Sequence, residues 1–317
     1  MIRTSHPNKK LTEIIQHLGK EKTISVELNP YKTIDYNILT RINPSFCSVT
    51  WIANRNDPKN PRLLPPIMVA KDLIRKGYVV LVHIPGIFYT RDRMRNILLV
   101  LKEIGVRNIF AMRGGGPWLK IDHCDFPFAQ DFIEFISSEF GNYFEIVIAG
   151  FPHIHPATGS MENEMFFLRQ KVEAGASLIF TQACMSPQRY LNYRRICTEY
   201  AIDIPIIFGL LMFRSYNDFV RVKRMCCFID KSVYRAALQA KRSRQSKQHG
   251  RKWTNYLIRE LLKSDLTVGV HIFTQNFFEL ANNILIESEA NKCKADLKKR
   301  RKPSSVPFSN YTSTSSS

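Results

Sequence analysis

The sequence has no run of about 18 apolar residues, so it offers no candidate for a transmembrane helix. Its first stretch, MIRTSHPNKKLTEIIQHLGK, has no apolar core of the kind a secretory signal needs. It contains instead LTEIIQHLG, which reads as an amphipathic first helix. There is no Cys-x-x-Cys pair, and Cys47, Cys124, Cys184, Cys197, Cys226, Cys227 and Cys293 are odd in number and irregular in spacing. A disulfide framework is not expected; a reducing, cytoplasmic setting is. The eight histidines form no HExxH and no Cys/His ladder, so no metal site is expected. The glycine-rich stretch FAMRGGGPW (Phe110–Trp118) lacks the GK[ST] ending of a phosphate-binding P-loop. No Gly/Ser-rich linker divides the chain.

Acidic residues are also scarce. The net charge of +19 admits a nucleic-acid partner or an anionic ligand. Part of it lies in Lys292–Phe308, which carries seven Lys/Arg against one Asp. Residues 291–317 are expected to be a basic, Ser/Thr-rich disordered tail. Nuclear import or polyanion binding is the alternative for that segment.

What the chain does have is regularity. Eight short apolar runs recur: Thr23–Leu28, Phe46–Trp51, Tyr78–Ile84, Arg107–Met112, Phe144–Gly150, Ser177–Gln182, Ile204–Leu210 and Thr267–Phe273. Continuous apolar runs of this length suit parallel strands buried on both faces. Amphipathic stretches such as Arg93–Gly105 and Glu162–Ala176 separate them. Eight β-then-α units in roughly 250 residues predict a TIM (β/α)8 barrel. An open doubly wound sheet is the alternative, but it usually has a glycine-rich turn after the first strand. Here that strand runs into NPYKT. A single domain over residues 1–290 is expected. Lys241–Trp253 is its longest interruption, a basic surface stretch.

Functional groups of such a barrel lie at the C-terminal ends of the strands. The predicted strands end at Glu27, Thr50, His83, Arg113, His153 and His155, Thr181 and Gln182, and Thr274 and Asn276. Singly, each has a structural explanation, such as an ion pair or a backbone hydrogen bond. Together they describe a rim that binds or catalyses.

The order of motifs resembles the methylenetetrahydrofolate reductase family. The matching stretches are VELNPYKT, SVTW, VHIP, NIFAMRGGGP, FEIVIAGFPHIHPATGS, LRQKVEAGASLIFTQ, IPIIFGL and GVHIFTQN. The resemblance implies a flavin-dependent enzyme of one-carbon and methionine metabolism. Such an enzyme reduces 5,10-methylenetetrahydrofolate to 5-methyltetrahydrofolate, with FAD as cofactor and NADH or NADPH as hydride donor. It implies that Glu27 is the general acid. It places FAD contacts on Thr50, His83, Arg113, Gly114, Ala149, Phe151, His155, Glu164 and Lys171, and substrate contacts on Gln182, Gly115 and Phe273. It further implies a homo-oligomer, no membrane and no nucleic acid. The regulatory domain of long eukaryotic members is expected to be absent.

The sequence also departs from the family pattern. Gly115 stands where the family has an aspartate, Phe151 where it has tyrosine, Ala157 where it has glutamate, Glu164 where it has aspartate, and Phe277 where it has arginine. The flavin side is better kept than the folate side. An active, diverged reductase is one reading. A flavin- or folate-binding paralogue with weak or no reductase activity is the second, and a nucleic-acid-associated barrel is a third.

Overall fold

The computed structural model describes residues 7–53, 57–115, 124–155, 157–213, 216–225, 234–235, 237–238, 241 and 246–288. The expected tail over 291–317, and Gly116, Pro117 and Trp118 of the glycine-rich stretch, lie outside the described residues.

Eight parallel strands close into a barrel in sequence order. They are β1 (Thr23–Leu28), β2 (Cys47–Val49), β3 (Val80–Pro85), β4 (Asn108–Met112), β5 (Glu145–Gly150), β6 (Leu178–Thr181), β7 (Ile206–Leu211) and β8 (Gly269–Phe273). Closure runs through β1 and β8, with Ser25 opposite His271 and Val26 opposite Ile272. Each strand falls on one of the eight predicted apolar runs. β7 extends one residue further and β3 ends at Pro85.

Side chains alternate across each strand. Val26, Leu28, Cys47, Val49, Val82, Ile84, Ile109, Ile148, Phe208 and Ile272 face outward into the layer beneath the helices. A second cluster fills the interior: Phe46, Leu81, Phe110, Val147, Leu178, Phe180 and Ile207. The alternation therefore turns Ser25, Glu27, His83, Ala149, His271 and Phe273 inward.

The first helix, α1 (Leu11–Leu18), plugs the N-terminal mouth. Leu11 and Ile14 belong to the interior cluster. The helix's N-terminal amides have no intrahelical partners. Here the Leu11 N–H donates to Asn108 Oδ1 at 2.9 Å and the Thr12 N–H to Glu145 Oε2 at 3.0 Å. Both acceptors stand at strand starts, so the base of the barrel is closed and the opposite mouth remains for function.

Lys241–Trp253 is exposed at Lys241 and Lys252, as expected of a surface stretch, but it does not stay an interruption. From Ser246 it belongs to a helix, Ser246–Lys263. Gly250 packs where any side chain would collide, since a Cβ there would lie 2.0 Å from the Phe213 carbonyl oxygen. Among the described residues, no helix is long and apolar enough to cross a membrane. No group of three or more His, Cys, Asp or Glu there could hold a metal ion.

Candidate functional site

Inside the barrel, polar groups form a floor under the C-terminal mouth. His271 is fully buried, with Nδ1 2.8 Å from Ser25 Oγ and Nε2 3.0 Å from Ser48 Oγ. Its ring stacks on Phe46 and tilts against Phe180. Burial holds it neutral, well below the ordinary histidine range.

Glu27 stands one inward position above Ser25. Burial raises its carboxyl to about 7, opposed by the Gln275 backbone N–H, which donates to it, and by the charge of Lys32. A carboxyl that exchanges protons near neutral pH is what general acid catalysis requires. The neighbouring strand end adds Thr50, which bonds the Leu28 carbonyl through its N–H at 3.0 Å and its hydroxyl at 3.3 Å. His83, on β3, is buried edge-on against Phe110, and its Nε2 has no hydrogen-bond partner among the described residues. Burial pushes it down to about 3, so it is a neutral imidazole.

Phe273 lies half-buried over His271, with ring centroids 5.2 Å apart. The absence of a side chain at Gly209 makes room for it, because a Cβ there would meet the Phe273 ring at 2.5 Å. Glu27, Thr50, His83 and Phe273 thus share the β8-β1-β2-β3 side of the mouth.

The second group sits on β4 to β6. Lys171, on α2 (Met161–Glu173), reaches inward with Nζ 3.4 Å from the Ala149 carbonyl. Burial lowers its pKa and the charge of Glu164 opposes that. The two are seven residues apart, two helical turns, and share a face. Glu164 is buried in the first turn of α2, where the helix dipole favours a carboxylate. It accepts from the Thr158 hydroxyl at 3.2 Å and from the His155 backbone N–H. Burial still raises it above the usual carboxylate range.

His155 packs against Phe151 at 4.5 Å, and its Nδ1 accepts the Ala157 N–H at 3.1 Å. That bond puts the proton on Nε2, leaving a donor. Gln182 is exposed on the rim, its backbone N–H bonded to the Gly150 carbonyl at 2.7 Å. Tyr190, on the helix Pro187–Glu199, steadies the loop after Gln182. Its hydroxyl accepts from Cys184 N–H at 2.7 Å and donates to the Gly209 carbonyl.

Arg113 stands apart from this convergence. Its guanidinium donates to the Pro127 carbonyl at 2.9 Å and to the Gly114 carbonyl at 3.3 Å, which draws it toward the loop after β4. Gly114 and Gly115 both have positive φ, 82° and 74°. At Gly114 a Cβ would meet Pro85 Cβ at 2.4 Å, so glycine is required twice over.

Two polar strand-end residues have structural duties. The Thr181 hydroxyl accepts the Gly209 N–H at 3.1 Å, and the Thr274 hydroxyl donates to the Glu27 carbonyl. His153, one of the polar residues at the end of the fifth predicted strand, is enclosed. It is 5% exposed and neither ring nitrogen has a hydrogen-bond partner among the described residues. Burial, with the charges of His155 and Arg189, pushes it down to about 4.

Comparisons with known proteins point the same way. Residues 10–289 match the family described as methylenetetrahydrofolate reductase. The chain is 26% identical over 304 residues to methylenetetrahydrofolate reductase (NADH) 1 of Zea mays, covering 88% of this chain and 50% of that protein. It is 26% identical over 281 residues to a probable methylenetetrahydrofolate reductase (NADPH) of Caenorhabditis elegans, covering 84% of this chain and 42% of that protein. A bacterial relative, 5,10-methylenetetrahydrofolate reductase of Pectobacterium carotovorum, is 28% identical over 232 residues, 69% of this chain and 74% of its own. The chain thus spans about half the length of the plant relatives it matches. A solved structure from Clostridium thermocellum, an uncharacterized protein that binds two copies of 5-methyl-5,6,7,8-tetrahydrofolic acid, superposes with a TM-score of 0.57 at 14% identity. It covers 86% of this chain and 98% of that one, and supports the barrel fold. With a closed barrel, an acid at the end of β1 and a family match across almost all of the described chain, the protein belongs to the methylenetetrahydrofolate reductase family.

Proposed function

We propose that this chain reduces 5,10-methylenetetrahydrofolate to 5-methyltetrahydrofolate, with FAD as cofactor and NAD(P)H as hydride donor. The observation that carries the reading is Glu27, an inward carboxyl at the open mouth, beside Lys32 and the Gln275 N–H.

The residues on β3 to β6 suit a flavin dinucleotide. Lys171 and the Nε2 donor of His155 are partners for pyrophosphate and ribose oxygens. His83 supplies a buried ring nitrogen with no hydrogen-bond partner among the described residues, and Ala149 is a small, partly buried side chain packed on the interior cluster. Phe151 and Glu164 belong to the same side, Glu164 by holding the His155 loop; Thr50, after β2, and Arg113 with Gly114, drawn toward the loop after β4, would meet the flavin from outside that group. Bound there, FAD would supply the hydride relay from NAD(P)H to the folate.

The protein's own part is proton transfer and orientation. The five-membered ring of the substrate opens to an iminium when a proton is delivered to the departing nitrogen. Glu27, raised to about 7 by burial, holds that proton at neutral pH. Gln182 projects a carboxamide that both donates and accepts, as reading a pterin edge requires. Phe273 offers a ring face above the floor.

Two observations favour a second reading, a paralogue with weak or no reductase activity. Gly115 puts no carboxylate on the rim, and Phe277 puts a ring, 6.0 Å from Lys32 Nζ, where a cation is the family rule. Both changes fall on the folate side.

The absorption spectrum of the purified protein, followed by NAD(P)H–menadione turnover, tests the flavin half. A flavin band and turnover support either reading within the family. Reoxidation of the reduced protein by methylenetetrahydrofolate then separates the reductase from the paralogue. A protein that neither carries nor takes up flavin contradicts both.

A further inference from the structure

Asn276 follows β8 and has no role in the chemistry above. Its carboxamide nonetheless makes four hydrogen bonds among the described residues. Oδ1 accepts the Asn29 N–H at 2.7 Å. Nδ2 lies 2.9 Å from the Asn29 carbonyl, 3.1 Å from that of Thr33 and 3.4 Å from that of Lys32. All of these partners belong to the segment after β1, so one side chain ties the two strand ends together across the closing seam.

The backbone at this point is unusual. Gln275 and Asn276 both have positive φ, 50° and 65°. Asparagine tolerates that region better than most residues, whereas glutamine has no such ease. Two left-handed residues in succession persist only where the surroundings over-determine them. Here Thr274 contributes as well: its hydroxyl accepts the Asn276 N–H at 3.0 Å while donating to the Glu27 carbonyl. The product of this turn is the Gln275 N–H directed at the Glu27 carboxylate.

We propose that Asn276 is a positioning residue for Glu27. By clamping the segment after β1 onto the left-handed turn after β8, it aims the Gln275 N–H at the acid and so sets when the acid holds its proton. The inference rests on the reading of Glu27 as the proton donor.

The direction follows from the groups around Glu27. An N–H donated to a carboxylate favours the charged form and opposes burial. Lys32, inside the clamped segment, acts in the same direction. On the flanking strands, β8 brings His271, held neutral, and β2 brings Cys47, whose thiol faces the helix layer. Across the barrel, His83 is neutral too. Releasing the clamp loosens the Gln275 N–H and Lys32 together, and both losses raise the acid's pKa.

The test is titration of the Glu27 side-chain carboxyl by 13C NMR in the full chain labelled at glutamate, with Glu27→Gln assigning the resonance. Asn276→Gly removes the carboxamide but keeps a residue at ease with positive φ. Asn276→Ala removes both. The parent is expected to titrate near 7, and both variants about half a unit or more higher. The pH limb for reoxidation by methylenetetrahydrofolate should move by the same amount. A folded Asn276→Gly protein whose Glu27 titrates as in the parent overturns the proposal and leaves the proposed function standing. Failure of both variants to fold also overturns it, since Asn276 is then a structural clamp. A parent carboxyl in the ordinary carboxylate range overturns the acid role along with the positioning role.

Discussion

The Ser25 hydroxyl meets Nδ1 of His271 at 2.8 Å, one inward position below Glu27 on the same strand. With Ser48 on the other nitrogen, a neutral imidazole accepts from one hydroxyl and donates to the other. The floor of the site is therefore polar yet satisfied. His271→Leu strips the buried Ser48 hydroxyl of its imidazole partner and leaves the Ser25 hydroxyl with the Val270 carbonyl at 3.4 Å; an unpaired buried hydroxyl costs about 1–3 kcal/mol. We predict a loss of about 1–3 kcal/mol in urea unfolding. An unchanged midpoint would show that the serines find other partners.

Stability should fall on mild acidification. Burial pushes His83 down to about 3 and His153 to about 4, while His271 lies well below its ordinary value. In the unfolded chain these rings take up protons near 6.5. The stability they allow is complete above that pH and is lost as pH falls toward 4. Replacing His153 with Phe, similar in bulk and unable to ionise, should flatten part of the slope between pH 6.5 and 4. A slope unaltered by that change contradicts the assignment of His153 as buried and neutral.

Glu27 acts with the opposite sign. Its folded value, raised to about 7 from 4.5, means the folded chain holds a proton that the unfolded chain has released. Its favourable contribution is complete below 4.5 and lost as pH rises through about 7. Glu27→Gln should therefore stabilise the protein above pH 7 by on the order of 2 kcal/mol. Equal stability of parent and variant at pH 8 would mean the carboxyl is better solvated than its place suggests.

How much of this was legible in the sequence depended on how local the signal was. Eight apolar runs marked the strands, because a strand buried on both faces needs little from its partners to be recognised. Glu27, His83 and Gln182 were legible as polar residues closing those runs. The plug was not. Leu11–Leu18 read as an ordinary amphipathic helix, and only contact with Asn108, 97 residues away, shows that it closes the barrel. Asn276 was seen as a polar strand end, but its partners lie 243 to 247 residues back. Thr181 and Thr274 looked like site residues because a hydroxyl at a strand end is the same letter whether it faces a ligand or a neighbouring backbone. Lys241–Trp253 read as an interruption because its charges hid both the start of a helix and Gly250, whose use is close packing against Phe213.

The two glycines after β4 should respond differently to substitution. Gly114→Ala places a Cβ 2.4 Å from Pro85 and should lower the thermal midpoint by several degrees. Gly115 is exposed at φ 74°, a conformation aspartate and asparagine tolerate better than other side chains. Gly115→Asp should fold and, by returning a charged acceptor to the rim, tighten folate binding about tenfold or more. It should also lower the flavin potential. A folded variant with parental folate affinity and potential would show that this corner of the rim does not meet the pterin.

If Glu27 is the proton donor to folate, the two half-reactions separate that role from a structural one. In stopped-flow measurements, Glu27→Gln should leave flavin reduction by NAD(P)H within a few-fold of the parent. Reoxidation by methylenetetrahydrofolate should slow by about 10²–10⁴, the range lost with a general acid. Equal slowing of both half-reactions, or none in the second, would contradict the assignment.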